Sequence, residues 1–279
     1  MGKIKSARRV GFIGLFLIVL LACNVNATII IWVYYDGAAF VASDRLSSGL
    51  ASDSLLKTAL NDVPIKKVFQ FTENSAVSIS GWYGVRDLWL PAALETNCSK
   101  VHSSNDSLQS KINSVVSGFQ SNFVELRSNI EANITNTVIL TNLVTDVTFT
   151  GYDSATASFF CTMYEFGGTN LPKPKILWRA HHGDSFQMAW SGQEKFLRAL
   201  LNPQEGDLLV PYRSEVLKND CIQMAQGLPL SDARIRDWLL EILNLDENQA
   251  IRLGLDARPI KGPYRIIKET PSSVSVLSQ

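Results

Sequence analysis

Thr28 directly follows a run ending Val25-Asn26-Ala27, and a reaction can be read from that junction. A threonine hydroxyl is a weak nucleophile that needs a base. If Thr28 becomes the first residue of the chain, its own α-amine lies within reach and can serve as that base. An unperturbed α-amine titrates at about 7.7 to 8.0, near enough to neutrality to take a proton and return it. The chemistry this supports is attack on an amide carbonyl. Downstream stand Asp44 in Ala42-Ser43-Asp44-Arg45, Lys67 in Lys66-Lys67-Val68, Gly81 in Ser80-Gly81, and Ser191 in Trp190-Ser191-Gly192. Metal chemistry has little to build on. His102, His181 and His182 are the only histidines, and no His-x-x-x-His or Cys-x-x-Cys pattern occurs. No metal and no cofactor is expected.

The segment before Thr28 has the anatomy of a secretory signal. Lys3, Lys5, Arg8 and Arg9 open it, an apolar stretch runs from Val10 to Ala22, and small and polar residues close it. The stretch is short against the roughly 20 residues of a bilayer span, which argues against an uncleaved anchor. Leu20-Leu21-Ala22-Cys23 also resembles a lipoprotein cleavage box, and a cut there would make a lipidated Cys23 the first residue. The expected location is therefore periplasmic or secreted, with a membrane contact only through the signal peptide or a lipid on Cys23. Taking the four leading basic residues from 26 leaves 22 against 26 acidic residues, a net charge of −4. A mildly acidic chain without Lys/Arg clusters gives no case for nucleic acid as a partner. Cys98, Cys161 and Cys221 would remain, open to one disulfide plus a free thiol or to packing as buried thiols.

These residues must be positioned by a scaffold. Thr28 to Tyr35 and Ala38 to Asp44 are β-branched and aromatic runs joined by Asp36-Gly37, a strong hairpin signal. Lys66 to Phe71 and Ser75 to Ser80 flank Thr72-Glu73-Asn74 as a second hairpin, and Arg45 to Pro64 between them is expected as loop with a short helix. From Ser107 to Ile130, Leu108, Ile112, Val115, Val116, Phe119, Phe123, Leu126 and Ile130 recur at steps of three and four, the pattern of an amphipathic helix facing a core. Thr137 to Thr150 and Ser158 to Phe166 form a strand pair around Gly151-Tyr152-Asp153, and Ile176 to Trp178 a short strand. Glu194 to Leu201, Arg234 to Leu243 and Glu247 to Leu253 are expected as helices and Tyr264 to Ile267 as a closing strand. No linker or repeat divides the chain, so the expected organisation is a signal peptide at 1–27, one α+β domain at 28–270 and a frayed tail at 271–279.

The stretch Thr28-Ile-Ile-Ile-Trp-Val-Tyr-Tyr-Asp-Gly-Ala-Ala-Phe-Val-Ala-Ser-Asp44-Arg45 resembles the start of a mature catalytic proteasome-type subunit, and Lys66-Lys67-Val68 with Ser80-Gly81 resembles that family's next block. Beyond Gly81 the likeness thins to Trp190-Ser191-Gly192 and Lys261-Gly262-Pro263. The resemblance implies a four-layer αββα N-terminal-nucleophile (Ntn) hydrolase sandwich, two antiparallel sheets flanked by helices. It implies Thr28 as nucleophile and Lys67 as the cation favouring the neutral amine. Asp44 would hold Lys67 charged, the Gly81 backbone N–H would donate to the oxyanion, and Ser191 would be an auxiliary hydrogen-bonding residue.

By the same resemblance Ser47, Ile65, Phe69, Ile79 and Tyr83 would line an apolar substrate pocket, with the Ser48 backbone pairing with an extended peptide or small amide substrate. Trp82 would narrow the entrance. Where the family carries a later aspartate this chain has Arg258, with Asp256 out of register, and the interval from Ser191 to Gly262 is longer than the family norm. A homo-oligomer accords with a family that assembles into rings. The competing expectation is a noncatalytic proteasome-like binding or scaffold protein, in which residues retained before Thr28 lock its amine in a peptide bond.

Overall fold

The computed structural model describes residues 29–44, 46–48, 61–64, 66–81, 83–85, 88–133, 143–192, 215–252 and 264–278. The signal segment, Thr28, Ile65, Trp82, the helix expected at Glu194 to Leu201, Arg258 and Gly262 lie outside them, as does the front of the strand expected from Thr137.

Strands β1 (Ile29–Tyr35) and β2 (Ala38–Asp44) form the expected first hairpin. Its turn takes positive φ at both Asp36 (47°) and Gly37 (73°), the two-residue geometry that Asp-Gly tolerates best. β3 (Leu46–Ser48) and β4 (Asn61–Pro64) pair in a small separate sheet at the two ends of the stretch expected as loop with a short helix, whose middle, 49–60, lies outside the described residues. β5 (Val68–Thr72) and β6 (Ser75–Gly81) make the second hairpin. After the short β7 (Gly84–Val85) and β8 (Leu88–Trp89) come helices α1 (Leu90–His102) and α2 (Leu108–Asn133). β9 (Thr145–Asp153) and β10 (Ser158–Phe166) pair through a turn that falls after Asp153, so Gly151-Tyr152-Asp153 belongs to a strand. β11 (Pro174–Ala180) and β12 (Gln187–Gly192) follow, then helices α3 (Glu215–Ala225) and α4 (Asp232–Arg252), and last β13 (Tyr264–Glu269) and β14 (Val274–Ser278).

The chain is α+β, with two five-stranded antiparallel sheets in the orders β12-β1-β2-β13-β14 and β11-β10-β9-β6-β5. The two sheets share one apolar layer: Ile30, Trp32, Tyr34 and Val41 of the first meet Val68, Ala76, Phe159 and Cys161 of the second. The outer face of the second sheet, with Val77, Ile79, Val147 and Phe149, packs against Val115, Phe119, Phe123 and Leu126 of α2 and Leu90 and Leu94 of α1. The outer face of the first, with Ile29, Ile31, Val33 and Phe40, packs against Ile235, Trp238, Leu239 and Ile242 of α4. Every residue of β1 is buried, because it is a central strand with both faces covered. Its sequence is accordingly a continuous apolar run with no polar alternation.

The tail was expected to fray, yet Val274–Ser278 is a strand on the edge of the first sheet. The serines before it form its turn: Thr270 N donates to Ser273 O at 2.8 Å and Ser273 N to Thr270 Oγ1 at 3.0 Å. All three described cysteines are free thiols. Among the described residues no helix is long and apolar enough to cross a membrane.

Candidate active site

Five strand ends meet at one end of the sandwich. Antiparallel pairing sets Ile29, at the start of β1, against Gly192, and Ile30 against both Ser191 and Ser43, next to Asp44 at the close of β2. In the second sheet Ser80 and Gly81, closing β6, stand against Asp146 and Thr145, opening β9.

Asp44 and Lys67 form the charged centre of this end. Lys67 Nζ lies 2.7 Å from Asp44 Oδ2, and neither side chain has any exposed surface. The other carboxylate oxygen, Oδ1, accepts from the backbone amide of Ile29 at 3.1 Å. That amide nitrogen is the atom bonded to the carbonyl carbon of Thr28. One carboxylate therefore bridges the Lys67 ammonium and the peptide group through which Thr28 joins the chain. Burial pushes the Asp44 carboxyl up and the Lys67 ammonium down, and each charge opposes the shift of the other. The Tyr83 ring adds a π-face 5.6 Å from Lys67 Nζ. The sequence has two adjacent lysines here, just before β5, and their side chains take different environments. Lys66 points out to Glu95 of α1 at 2.5 Å in a half-exposed pair, while Lys67 turns inward.

Gly81 has a φ of +91°, and a Cβ there would stand 2.4 Å from the Val144 carbonyl oxygen. Both the dihedral and the close backbone approach require glycine. Ser191 lies on the edge strand β12. Its Oγ is 2.9 Å from Ser80 Oγ and donates to Asp146 Oδ2 at 3.3 Å. Burial is the main cause that pushes the Asp146 carboxyl up, to about 6. Glu165 on β10 adds to the shift, while the Ser191 hydrogen bond and Lys175 on β11 oppose it. Ser80 and Asp146 escaped the sequence reading. Ser80 stands in a quoted motif without an assigned role, and Asp146 becomes relevant only through the pairing of β6 with β9.

The residues expected to line a pocket are placed as follows. Phe69, Ile79 and Tyr83 belong to the core between the second sheet and α1 and α2, with Ile79 wholly buried. Tyr83 Oη donates to Ile79 O at 3.4 Å. Ser47 and Ser48 lie on β3, and Ile65 is outside the described residues. No group of three metal-ligating side chains occurs among the described residues. In comparisons with known proteins, no family model and no curated protein matches the chain.

Proposed function

We propose that the chain is an exported threonine amidohydrolase or peptidase of the proteasome-like Ntn class, a four-layer αββα sandwich whose nucleophile is the hydroxyl of Thr28. The observation that carries this reading is the Asp44 carboxylate, which accepts from Ile29 N at 3.1 Å and holds Lys67 Nζ at 2.7 Å. A buried lysine beside the first peptide group of a strand has a clear use if that strand begins the mature chain. Its positive charge disfavours protonation of a neighbouring amine and favours an alkoxide.

In the proposed cycle the Thr28 hydroxyl proton passes to the α-amine as Oγ bonds to the substrate carbonyl carbon, and the ammonium returns that proton to the departing nitrogen as the C–N bond breaks. Water then cleaves the ester, with the same amine as base. The Gly81 N–H is the proposed oxyanion donor. The substrate is a peptide or small amide, and no cofactor or metal takes part.

N-terminal sequencing of protein recovered from its native compartment, joined to an amide-hydrolysis assay, tests the proposal. The expected result is Thr28 as first residue and turnover abolished by Thr28→Ala. Hydrolysis that survives Thr28→Ala would defeat the mechanism. A chain that begins at Cys23 or Met1 and does not turn over amides would identify the noncatalytic scaffold instead.

A further inference from the structure

We infer that Asp146 is a positioning residue of this site, acting through Ser191 and Ser80 to favour the protonated form of the N-terminal amine during turnover. The inference rests on the proposed Thr28 mechanism and extends it to a residue that the sequence motifs do not contain.

The geometry starts from register. β12 runs antiparallel to β1, so Gly192 and Ser191 flank Ile29 and Ile30, where the strand leaves residue 28. Ser191 Oγ sits between two groups, Ser80 Oγ at 2.9 Å and Asp146 Oδ2 at 3.3 Å. The three side chains come from β12, β6 and β9, so both sheets contribute, and the chain of hydroxyls spans the gap between them. On β9, Val147 and Phe149 face the helices, which leaves Asp146 on the inner face toward the first sheet. Its second oxygen, Oδ1, is buried and has no hydrogen-bond partner among the described residues. A carboxylate with a free buried acceptor is costly unless a donor or a positive charge is supplied.

The proposed reaction supplies a positive charge transiently. When the α-amine takes the hydroxyl proton it becomes an ammonium, and the positive charge of Lys67 opposes that step. Asp146, linked through hydroxyls that can each accept one hydrogen bond and donate another, offsets the repulsion. The groups around Asp146 fit this balance: Glu165 from β10 and Lys175 from β11 are the facing charges, and β6 and β12 present the Ser80 and Ser191 hydroxyls.

The test uses mature protein and the Asp146→Asn variant, which keeps the shape and an acceptor for Ser191 but removes the charge. Carbamoylation of the α-amine by cyanate, followed against pH, reads the amine's pKa without any turnover. The expected result is a fall of about half a pH unit in Asp146→Asn. The acid limb of the kcat/KM profile should move to lower pH by the same amount, and kcat should fall about tenfold with KM unchanged. Ser191→Ala combined with Asp146→Asn should be no slower than Ser191→Ala alone, since one path carries both effects. A merely structural Asp146 would lower the melting temperature and leave the amine's pKa in place. An unchanged amine pKa in a protein whose turnover still needs Thr28 overturns this inference alone. Turnover that survives Thr28→Ala removes the parent mechanism, and a mature chain not beginning at Thr28 removes both.

Discussion

Lys67 and Asp44 are an ion pair closed off from solvent on every side, 2.7 Å apart with no exposed side-chain surface on either partner. Each of two buried charges offsets much of the other's desolvation cost, so removing one leaves the other inadequately compensated. Lys67→Met is expected to destabilise the fold by about 3 to 5 kcal/mol, and Asp44→Ala by a similar amount. The double change should cost well below the sum of the two, because no charge then remains buried. Urea unfolding of the three variants checks this, and strictly additive costs would show that the pair is not energetically coupled. In the hydrolysis assay Lys67→Ala should reduce turnover about a hundredfold or more.

Gly81→Ala tests a different dependence. The added methyl would meet the Val144 carbonyl oxygen at 2.4 Å, on a residue whose φ is +91°. The opposing atom is backbone immediately before β9, so relief requires the end of β6 and the entry to β9 to move apart. A loss of about 2 kcal/mol or more is expected from strain and displacement together, read from the urea midpoint. A loss under about 0.5 kcal/mol, the level of an ordinary surface change, would mean that this strand end yields easily.

Glu269 gives the fold a pH dependence at the far end of the same interface. It is fully buried and accepts from Thr150 Oγ1 at 2.8 Å. Burial pushes its carboxyl up from 4.5 to about 8. The folded chain therefore binds a proton that the unfolded chain releases between about pH 4.5 and pH 8. Stability contributed by this group is complete below pH 4.5, declines as pH rises toward about 8, and levels off above it. Asp146, raised from 3.8 to about 6, acts in the same direction over its own narrower range. The unfolding free energy should fall between pH 5 and pH 8.5 by an amount on the order of a few kcal/mol, and Glu269→Gln should remove most of that slope. Equal slopes in the two proteins would clear Glu269 of the effect.

The elements that could be read from the sequence are those whose local signal and tertiary fate agree. The Asp36-Gly37 hairpin and the eight-residue apolar stripe of α2 are fixed by turn chemistry and helical period, and both appear where expected. α1 was missed because it opens at Trp89 without a side-chain cap and has Pro91 in its first turn. β12 was missed because Gln187–Gly192 contains no β-branched residue and is held as a strand by pairing with β1. The helices read at Arg234 and Glu247 are one continuous helix, α4, since nothing between Leu243 and Glu247 breaks the turn. At the site, Asp44 and Lys67 could be named because their motifs carry the family resemblance. Asp146 could not, because its nearness to Ser191 depends on how two separate sheets stack.

β1 has one neighbour that follows it at once and another, β12, that lies more than 150 residues further along the chain. A growing or translocating polypeptide ended before residue 187 would expose one whole edge of its most apolar strand, a row of amides and carbonyls open to any passing chain. β1 is thus made well before its second neighbour and sealed late, which ties completion of the sheet to arrival of the distant segment. A chaperone that guards the emerging product would have most to protect along the β1 edge that later receives Gln187–Gly192.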